Sequence, residues 1–254
     1  MSALKLTDFS VGYAKKDRVV SGISMHLHPG TITAVIGPNG CGKSTLLKGI
    51  MGFSNVFSSG DAFLEKELIL GLNREDRAKR ISYLPQYLPI PVGLTALETV
   101  LLGRFPHRKS WSKDSTSDII VASNELKRVG AANLTDKFID EVSGGERRLV
   151  NLAAVLSQQA QVILLDEPSS SLDYGHSTQL WKILKELASE GKTILLTTHR
   201  IGRAFDNVLL LDMGEMVAFG SPEKVFTNDI LSRVYKTPMK VWFDSSVNGW
   251  VVYS

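Results

Sequence analysis

The sequence predicts an α/β fold built on a mainly parallel sheet, with an antiparallel β portion at the N-terminus and a helical insert. Three short continuous apolar runs, at 31–37, 161–168 and 192–199, have the length and composition of strands buried on both faces. Segments with apolar residues at helical spacing follow the first two runs. Because strands alternate with helices in this way, a parallel sheet is the predicted architecture.

The N-terminal part has a different periodicity. Leu4 and Leu6, and then the apolar residues of 23–27, alternate with polar residues, which is typical of half-buried antiparallel strands. The helix-compatible segment KSTLLKGIMG follows the first continuous run, and Gly52 is its predicted end. This order of strand, loop and helix is the first βα unit of the predicted sheet.

Residues 88–141 contain helical periodicities in TALETVLLG and SDIIVASNELKRVG and no continuous apolar strand. We therefore predict a single domain, 1–254, with an α/β core formed by 1–87 and 142–254 and a helical subdomain formed by 88–141. No internal repeat and no low-complexity segment interrupts this division.

The C-terminal part completes the predicted elements. Apolar residues at helical spacing precede Gly191, which is the predicted helix end. The later apolar segment VLLLDMGEMVAFG predicts a hairpin that turns at Met213 and Gly214. Pro222 then occupies the first position of a predicted helix, where its missing N–H costs nothing.

The composition is that of a globular protein and excludes several functions. The net charge is +3, and no Lys/Arg block is long enough for a nucleic-acid-binding arm, so we expect no nucleic-acid partner. The short basic groups KRVG and ERRL are interpreted as solvated helix faces. A single cysteine excludes an intrachain disulfide and suits a reducing compartment. No apolar run approaches the roughly 20 residues that span a bilayer, and the N-terminus lacks the features of a secretion signal.

The segment GPNGCGKS matches the phosphate-loop pattern G-x-x-x-x-G-K-[ST] between a predicted buried strand and a predicted helix. Its glycines allow the backbone to wrap around a phosphate, Lys43 would reach the β- and γ-phosphates, and the Ser44 hydroxyl would bind Mg²⁺. A glycine-rich turn before a helix is the alternative interpretation. The predicted nucleotide-binding residues are Gly37, Pro38, Asn39, Gly40, Cys41, Gly42, Lys43, Ser44 and Thr45.

Carboxylates follow the second apolar run. Asp166 would provide a second anchor for Mg²⁺, and Glu167 would orient and polarise the attacking water as general base. The alternative is that both residues merely begin a loop. His199 ends the third run, at the strand edge where open parallel sheets bind ligands, although a lone histidine is more often structural.

The segment SGGE at 143–146 has the pattern of a helix capping box formed by Ser143 and Glu146. A capping box does not explain Gly144 and Gly145, which reduce helix propensity. They indicate a close approach by another group to the N-terminus of the helix, where free N–H groups favour an anion.

The order phosphate loop, LPQ, VSGGE, VILLDEP, SLD and TTH resembles the nucleotide-binding subunit of ATP-binding cassette (ABC) transporters over nearly the whole chain. The resemblance implies that Tyr13 stacks on adenine and that Gln86 senses Mg²⁺ and the attacking water. Asp173 would lie in a loop that contacts the opposite subunit, and His199 would contact the γ-phosphate. Ser143, Gly144 and Gly145 would form the signature motif. The alternatives are a strand-end aromatic residue for Tyr13 and a residue before a proline-rich hinge for Gln86.

The resemblance also implies cofactors and partners: ATP, Mg²⁺, a second copy of the chain and integral membrane permease subunits. The signature motif of one copy would face the phosphate loop of the other, so that two ATP molecules are enclosed head to tail. A substrate-binding protein would act indirectly, and the chain would lie at the cytoplasmic face of the membrane. Candidate contacts with a permease coupling helix are Leu88, Ile90, Leu94 and Phe105.

The stretches ALETVLLGRFPH and GSPEKVFTNDILSRVY are most similar to ATPases of importers for ferric siderophores, haem or vitamin B12. Two alternatives are a soluble ABC ATPase that moves no solute, such as one for iron–sulfur assembly, and a non-hydrolysing clamp. The sequence departs from the usual pattern in having Val142 for leucine, Leu149 and Ala154 for arginines, and Arg200 for aspartate.

Overall fold

The computed structural model describes residues 3–14, 17–108, 114–170, 172–201, 205–245 and 249–253. Its strands are β1 Leu4–Gly12, β2 Arg18–Leu27, β3 Ile32–Ile36, β4 Phe57–Leu64, β5 Glu67–Leu68, β6 Ile81–Leu84, β7 Val162–Leu165, β8 Thr193–Thr197, β9 Asn207–Asp212, β10 Glu215–Gly220, β11 Lys240–Asp244 and β12 Gly249–Tyr253. The α-helices are α1 Lys43–Met51, α2 Arg74–Arg80, α3 Ala96–Leu101, α4 Thr116–Arg128, α5 Gly144–Ser157, α6 Tyr174–Ser189, α7 Pro222–Val225 and α8 Asn228–Tyr235. Short 3₁₀ segments lie at Ile69–Gly71, Leu102–His107 and Ala132–Leu134.

Strands β1 to β10 form one sheet in the order β5-β4-β1-β2-β10-β9-β3-β8-β7-β6. The part β9-β3-β8-β7-β6 is parallel, whereas β4, β1 and β2 pair in antiparallel fashion. The predicted α/β fold, with a mainly parallel core and an N-terminal antiparallel portion, is therefore confirmed. The remaining strands, β11 and β12, form a separate hairpin near the C-terminus.

The hydrophobic core has two parts, one on each face of the sheet. Every residue of β3, β7 and β8 is buried, as the continuous apolar runs predict. Ile36 belongs to the part that includes α4, α5 and α6, whereas the neighbouring Val35 belongs to the part that includes α1. Because the loops after these strands extend from a rigid buried sheet, the side chains they carry are held in place.

Several predicted helix and turn boundaries agree with the structure. Gly52 ends α1 with φ of 62°, and Gly191, at φ 90°, follows the end of α6. The hairpin between β9 and β10 turns at Met213 and Gly214, and Pro222 is the first residue of α7. Glycine and proline are informative here because their preferred φ values decide where an element can stop or start.

Residues 88–141 hold α3, α4 and two of the 3₁₀ segments in their described part, and an isolated antiparallel bridge joins Thr95 to Phe138. Helices α3 and α4 pack on α5. In the part of the chain that the structure describes, no helix has the length and apolar character needed to cross a bilayer.

Candidate active site

The segment between β3 and α1 is a tight loop that requires glycine at several positions. Gly37, Gly40 and Gly42 have φ of 149°, 78° and 103°. A Cβ on Gly37 would lie 2.1 Å from the Leu211 carbonyl oxygen, and one on Gly42 would lie 2.5 Å from Val20 Cγ2. Since both the backbone conformation and the space exclude a side chain, the tight loop depends on these glycines.

The interior of this loop is positively charged. Lys43 is buried, and its Nζ donates hydrogen bonds to the carbonyl oxygens of Gly37, at 2.9 Å, and Pro38, at 3.0 Å. Helix α1 begins beside it without a side-chain cap and without an acidic residue in its first turn. A helix N-terminus with free N–H groups attracts anions, so the loop, the ammonium and the helix all favour a bound phosphate.

A carboxylate from the end of β7 lies against the start of α1. Ser44 Oγ donates to Asp166 Oδ1 at 2.9 Å, and Thr197 Oγ1 of β8 donates to the same oxygen at 2.6 Å. Tyr83 OH donates to Oδ2 at 3.4 Å, and burial together with the Asp166 charge raises the pKa of this phenol well above its usual range. Hydroxyl and carboxylate oxygens are the ligands Mg²⁺ prefers, so the Ser44 and Asp166 side chains fit that ion.

Glu167 follows Asp166 and is held in an unusual conformation. Its φ is 45°, a left-handed value that non-glycine residues rarely adopt, and its N–H donates to Thr197 Oγ1 at 2.8 Å. Gln86 Nε2 donates to Glu167 Oε2 at 2.9 Å, and His199 Nε2 lies 2.6 Å from Oε1. The structure thus brings together the side chains of Gln86, Glu167 and His199, which the sequence predicts as catalytic and which come from separate loops.

These groups surround one open cleft of about 710 Å³. Its lining residues are Val19, Asn39, Gly40, Gly42, Lys43, Ser44, Thr45, Gln86, Glu167 and His199. Tyr13, at the end of β1, is 49% exposed, and its hydroxyl lies 3.3 Å from Thr45 Oγ1. Tyr13 is therefore beside the phosphate loop, and its contact with adenine stays a prediction.

Cys41 lines a different space. Cys41 and Pro38 line an adjoining cavity of about 560 Å³, together with Met213, Val234 and Tyr235. Burial raises the pKa of the Cys41 thiol, although Lys43 Nζ lies 4.0 Å from the sulfur. Cys41 is therefore a buried member of the loop that lines this adjoining cavity and not the cleft described above.

The residues of the signature motif lie at the N-terminus of α5. Ser143 Oγ accepts from the Glu146 N–H at 3.3 Å, and Glu146 Oε2 accepts from the Ser143 N–H at 2.9 Å. A Cβ on Gly144 would meet nothing within 4 Å, whereas one on Gly145 would lie 3.0 Å from His176 Nδ1. His176 therefore accounts for the close approach predicted at Gly145, whereas none of the described residues comes close to Gly144.

Asp173 caps α6 near the same place. Its Oδ1 accepts from the His176 N–H, and its Oδ2 lies 2.8 Å from His176 Nδ1. Of the described residues, Ser143, Gly144, Gly145 and Asp173 do not line the cleft of their own phosphate loop. The predicted site residues therefore form two groups within one chain.

Sequence reasoning missed several residues of the site. The interpretation of ERRL as a solvated helix face is wrong for Arg148, which is only 7% exposed because its guanidinium is hydrogen-bonded to backbone carbonyls. Arg148 precedes Leu152 and Leu156 of the apolar stripe of α5 at helical spacing, and this pattern indicates that Arg148 lies on the buried face of the helix. Tyr83 and Thr197 were missed because nothing in the sequence relates them to Asp166.

The fold and this site define a phosphate-loop ATPase. The family model described as ABC transporter matches residues 20–170, which is more than half of the chain, and the chain belongs to this ABC transporter family. The cassettes of this family hydrolyse ATP. The ABC ATPase identity predicted from the motifs is therefore confirmed.

Similar proteins include importer subunits. The chain is 34% identical to the iron(3+)-hydroxamate import ATP-binding protein of Bacillus subtilis (strain 168), covering 98% of this chain and 93% of that protein. It is 32% identical to the ferric enterobactin transport ATP-binding protein of Escherichia coli (strain K12), covering 92% and 88%. The hemin import ATP-binding protein of Nocardia farcinica is 34% identical, with 91% and 80% covered.

Solved structures are similar over the same length. An ABC transporter assigned to the metal-chelate type, in an inward-facing conformation, matches with a TM-score of 0.83 at 26% identity, covering 100% of this chain and 96% of that chain. An ATP-binding cassette in its ADP conformation matches with a TM-score of 0.80 at 25% identity, covering 93% and 99%.

Proposed function

We propose that this chain is the ATP-hydrolysing subunit of an ABC importer for a metal chelate such as a ferric siderophore, haem or cobalamin. The observation that carries the hydrolytic part is the convergence of Gln86 and His199 on the Glu167 carboxylate, at 2.9 and 2.6 Å. The chelate class is supported by the importer relatives, whose printed substrates are iron(3+)-hydroxamate, ferric enterobactin and hemin.

The phosphate loop would hold the ATP triphosphate through its N–H groups and Lys43, and Tyr13 would contact the adenine. Ser44 Oγ and Asp166, with Gln86 nearby, would hold Mg²⁺, which would neutralise negative charge on the phosphate oxygens. The donor set fits, because Ser44 Oγ and Asp166 Oδ1 are already 2.9 Å apart at the start of α1.

Glu167 would act on the attacking water. The water oxygen forms a bond to the γ-phosphorus while the bond to the β-γ bridging oxygen breaks, and the Glu167 carboxylate accepts the proton of the water. Gln86 and His199 fix the carboxylate, and His199 would contact the γ-phosphate at the mouth of the cleft. The left-handed backbone of Glu167 directs its side chain so that one carboxylate oxygen meets Gln86 and the other meets His199, whose loops follow the neighbouring strands β6 and β8.

Two copies of the chain would close head to tail, with the signature residues 143–145 of each facing the phosphate loop of the other. The open space beside Gly144 and the exposed position of Ser143 support this arrangement. The helix dipole of α5 and its N–H groups would then add positive potential at the γ-phosphate. Asp173 would lie in the same interface.

A membrane permease would dock on the helical insert, which would place the chain at the cytoplasmic face of the membrane. Large apolar side chains are exposed along the segment that follows Gln86, where Tyr87 is 83% and Val92 is 81% exposed, and Phe105 is 65% exposed. Leu88 and Ile90 are also exposed, whereas Leu94 is half-buried. Exposed apolar groups in such a cluster favour a protein partner. A substrate-binding protein would reach the chain only through the permease.

Uptake measurements test this proposal. Cells that lack the chain are complemented with the wild type or with Glu167→Gln and supplied with labelled ferric hydroxamate, haem or cobalamin. We expect one of these chelates to accumulate only with the wild type, and the purified chain to hydrolyse Mg-ATP. Wild-type hydrolysis without uptake of any chelate, and with only soluble proteins co-purifying, would establish the non-transport ATPase instead.

A further inference from the structure

Arg148 is a buried cation whose side-chain hydrogen bonds, among the described residues, go to the two segments that carry Gln86 and Glu167. It lies in the first turns of α5 and is 7% exposed. Burial lowers the pKa of its guanidinium, although the nearby Asp166 carboxylate raises it. A guanidinium stays charged in proteins, so this buried position must be compensated by hydrogen bonds.

The compensation comes from backbone carbonyls at the ends of two parallel strands. After β6, Nη1 donates to the carbonyl oxygens of Pro85 and Gln86, at 2.7 and 3.2 Å. After β7, Nη2 donates to those of Asp166 and Glu167, at 3.0 and 3.3 Å. The remaining donor, Nε, lies 3.3 Å from the Pro168 carbonyl oxygen. One planar side chain therefore joins the Gln86 segment to the Glu167 segment.

These bonds act where the backbone is strained. Glu167 has a left-handed φ of 45°, which costs energy in a residue with a Cβ. Its N–H donates to Thr197, and its carbonyl oxygen accepts from Ser170 and from Arg148. Because both sides of the residue are held, its side chain can reach Gln86 and His199 without relaxing to a common conformation.

We propose that Arg148 is a positioning residue for ATP hydrolysis, which ties the signature helix α5 to the Gln86 and Glu167 segments and fixes the Glu167 carboxylate. The inference rests on the proposed catalytic role of Glu167. Arg148 would also link the two ATP sites of the proposed dimer. The N-terminus of α5 would face the nucleotide bound by the second copy, and Arg148 of the same helix holds the catalytic segments of its own chain. Lysine cannot replace Arg148, because a single ammonium cannot span five carbonyls on two segments.

The chain offers a matched control in Arg147. Its Nε and Nη2 donate to the carbonyl oxygens of Ile139 and Val142, at 3.0 and 2.9 Å. These carbonyls precede α5 and do not belong to the catalytic segments. Arg147→Lys therefore makes the same chemical change, one residue away, without releasing Gln86 or Glu167.

The experiment compares Arg148→Lys and Arg148→Gln with Arg147→Lys in the full chain. Steady-state Mg-ATP hydrolysis and fluorescent-nucleotide titration give kcat, KM and the dissociation constant. We expect kcat to fall about tenfold or more in both Arg148 variants, with nucleotide affinity changed less than about threefold, and Arg147→Lys to retain most of the wild-type kcat. In a Glu167→Gln background, Arg148→Lys should cause little further loss, because it acts through the missing carboxylate.

Unchanged kcat in Arg148→Lys, or an equal loss in Arg147→Lys, would overturn the proposal. An additional tenfold loss in the Glu167→Gln background would also overturn it. If both Arg148 variants fail to fold while Arg147→Lys folds, Arg148 is a general stability residue and the proposal is wrong. A wild-type chain that fails to hydrolyse Mg-ATP would instead remove the proposed function itself.

Discussion

The Nε2 atom of His199 lies 2.6 Å from Oε1 of Glu167, although the two residues belong to loops that follow different strands. The other carboxylate oxygen, Oε2, accepts from Gln86 Nε2 at 2.9 Å. Because β6, β7 and β8 are adjacent and parallel, their C-terminal ends meet at one edge of the sheet. The Glu167 carboxylate is thus oriented by its neighbours before a substrate enters.

Glu167→Gln tests the role of this carboxylate as general base. The amide keeps the size of the side chain but cannot accept a proton from water, so we expect turnover to fall about a hundredfold or more. ATP binding should persist, and Mg-ATP should trap a dimer that gel filtration detects. Glu186→Gln, at an exposed site on α6, is the control and should behave as the wild type. A chain that remains monomeric with Mg-ATP would contradict the trapped dimer.

Ser143→Arg tests whether the signature segment acts on the nucleotide of a second copy. Ser143 is exposed and does not line the cleft of its own phosphate loop, so a bulky side chain should obstruct the dimer and leave monomeric binding intact. We expect ATPase activity to fall about tenfold or more while the fluorescent-nucleotide affinity of the monomer stays the same. Ser189→Arg, at the exposed end of α6, controls for the added charge. Weaker binding to the Ser143→Arg monomer would place the segment in its own cleft.

The reactivity of Cys41 should depend on pH in a way that differs from that of a free thiol. Burial raises the pKa of Cys41, and only the thiolate reacts with iodoacetamide, so alkylation near neutral pH should be slower than for a free thiol. The rate should still be rising above about pH 9, where a free thiol of pKa about 8.5 approaches its plateau. Mass spectrometry is unambiguous because the sequence has one cysteine. The denatured chain should show the ordinary profile, and an ordinary profile in the folded chain would disprove the shift.

The buried ion pair between Arg104 and Asp118 should make stability depend on pH. Arg104 Nε donates to Asp118 Oδ1 at 2.9 Å, and the Ser115 hydroxyl, followed by Arg104, lowers the pKa of this carboxyl. The carboxylate therefore stabilises the folded state above the unfolded pKa, about 3.9, and this contribution is lost as pH falls through the lower folded pKa. Asp118→Asn removes the counter-charge of Arg104, which keeps its hydrogen bonds to Ser157 and Gln159, and should lower the free energy of unfolding by about 2 kcal/mol near neutral pH.

Urea denaturation followed by circular dichroism checks this prediction. The difference between wild type and Asp118→Asn should start to shrink below about pH 4, where the unfolded chain binds a proton at Asp118, and should vanish below the lower folded pKa, where the folded carboxylate is protonated as well. Asp61→Asn, at an exposed position on β4, should show no comparable difference at either pH. A difference for Asp118→Asn that is independent of pH would show that the charge does not contribute.

The phosphate loop and the strands that carry it were predictable because their determinants are local. Gly37 and Gly42 are required by φ and by close contacts, and the adjoining runs are long enough to indicate buried strands. Asp166 and His199 were located because each follows such a run. Because parallel strands end at the same edge of the sheet, a residue that follows such a strand lies at the site.

Other parts could not be read from the sequence because tertiary contacts decide them. Strand β6 is the segment ISYL, which is not a continuous apolar run like that of β7, although its end positions Gln86. The hairpin of β11 and β12 was also missed, because most of the residues in its strands are only partly buried and its pairing is decided by contacts between the two strands. Arg148 was misread because a charged residue is normally solvated, and the carbonyls that compensate it come from segments distant in the chain.

Lys43 shows how the energy of nucleotide binding is divided. Its ammonium is already withdrawn from water and satisfied by the carbonyl oxygens of Gly37 and Pro38. The desolvation of this cation therefore occurs during folding and not when the nucleotide arrives. The arriving phosphate then meets a cation whose removal from water is already compensated, so part of the affinity for triphosphate is established when the loop folds.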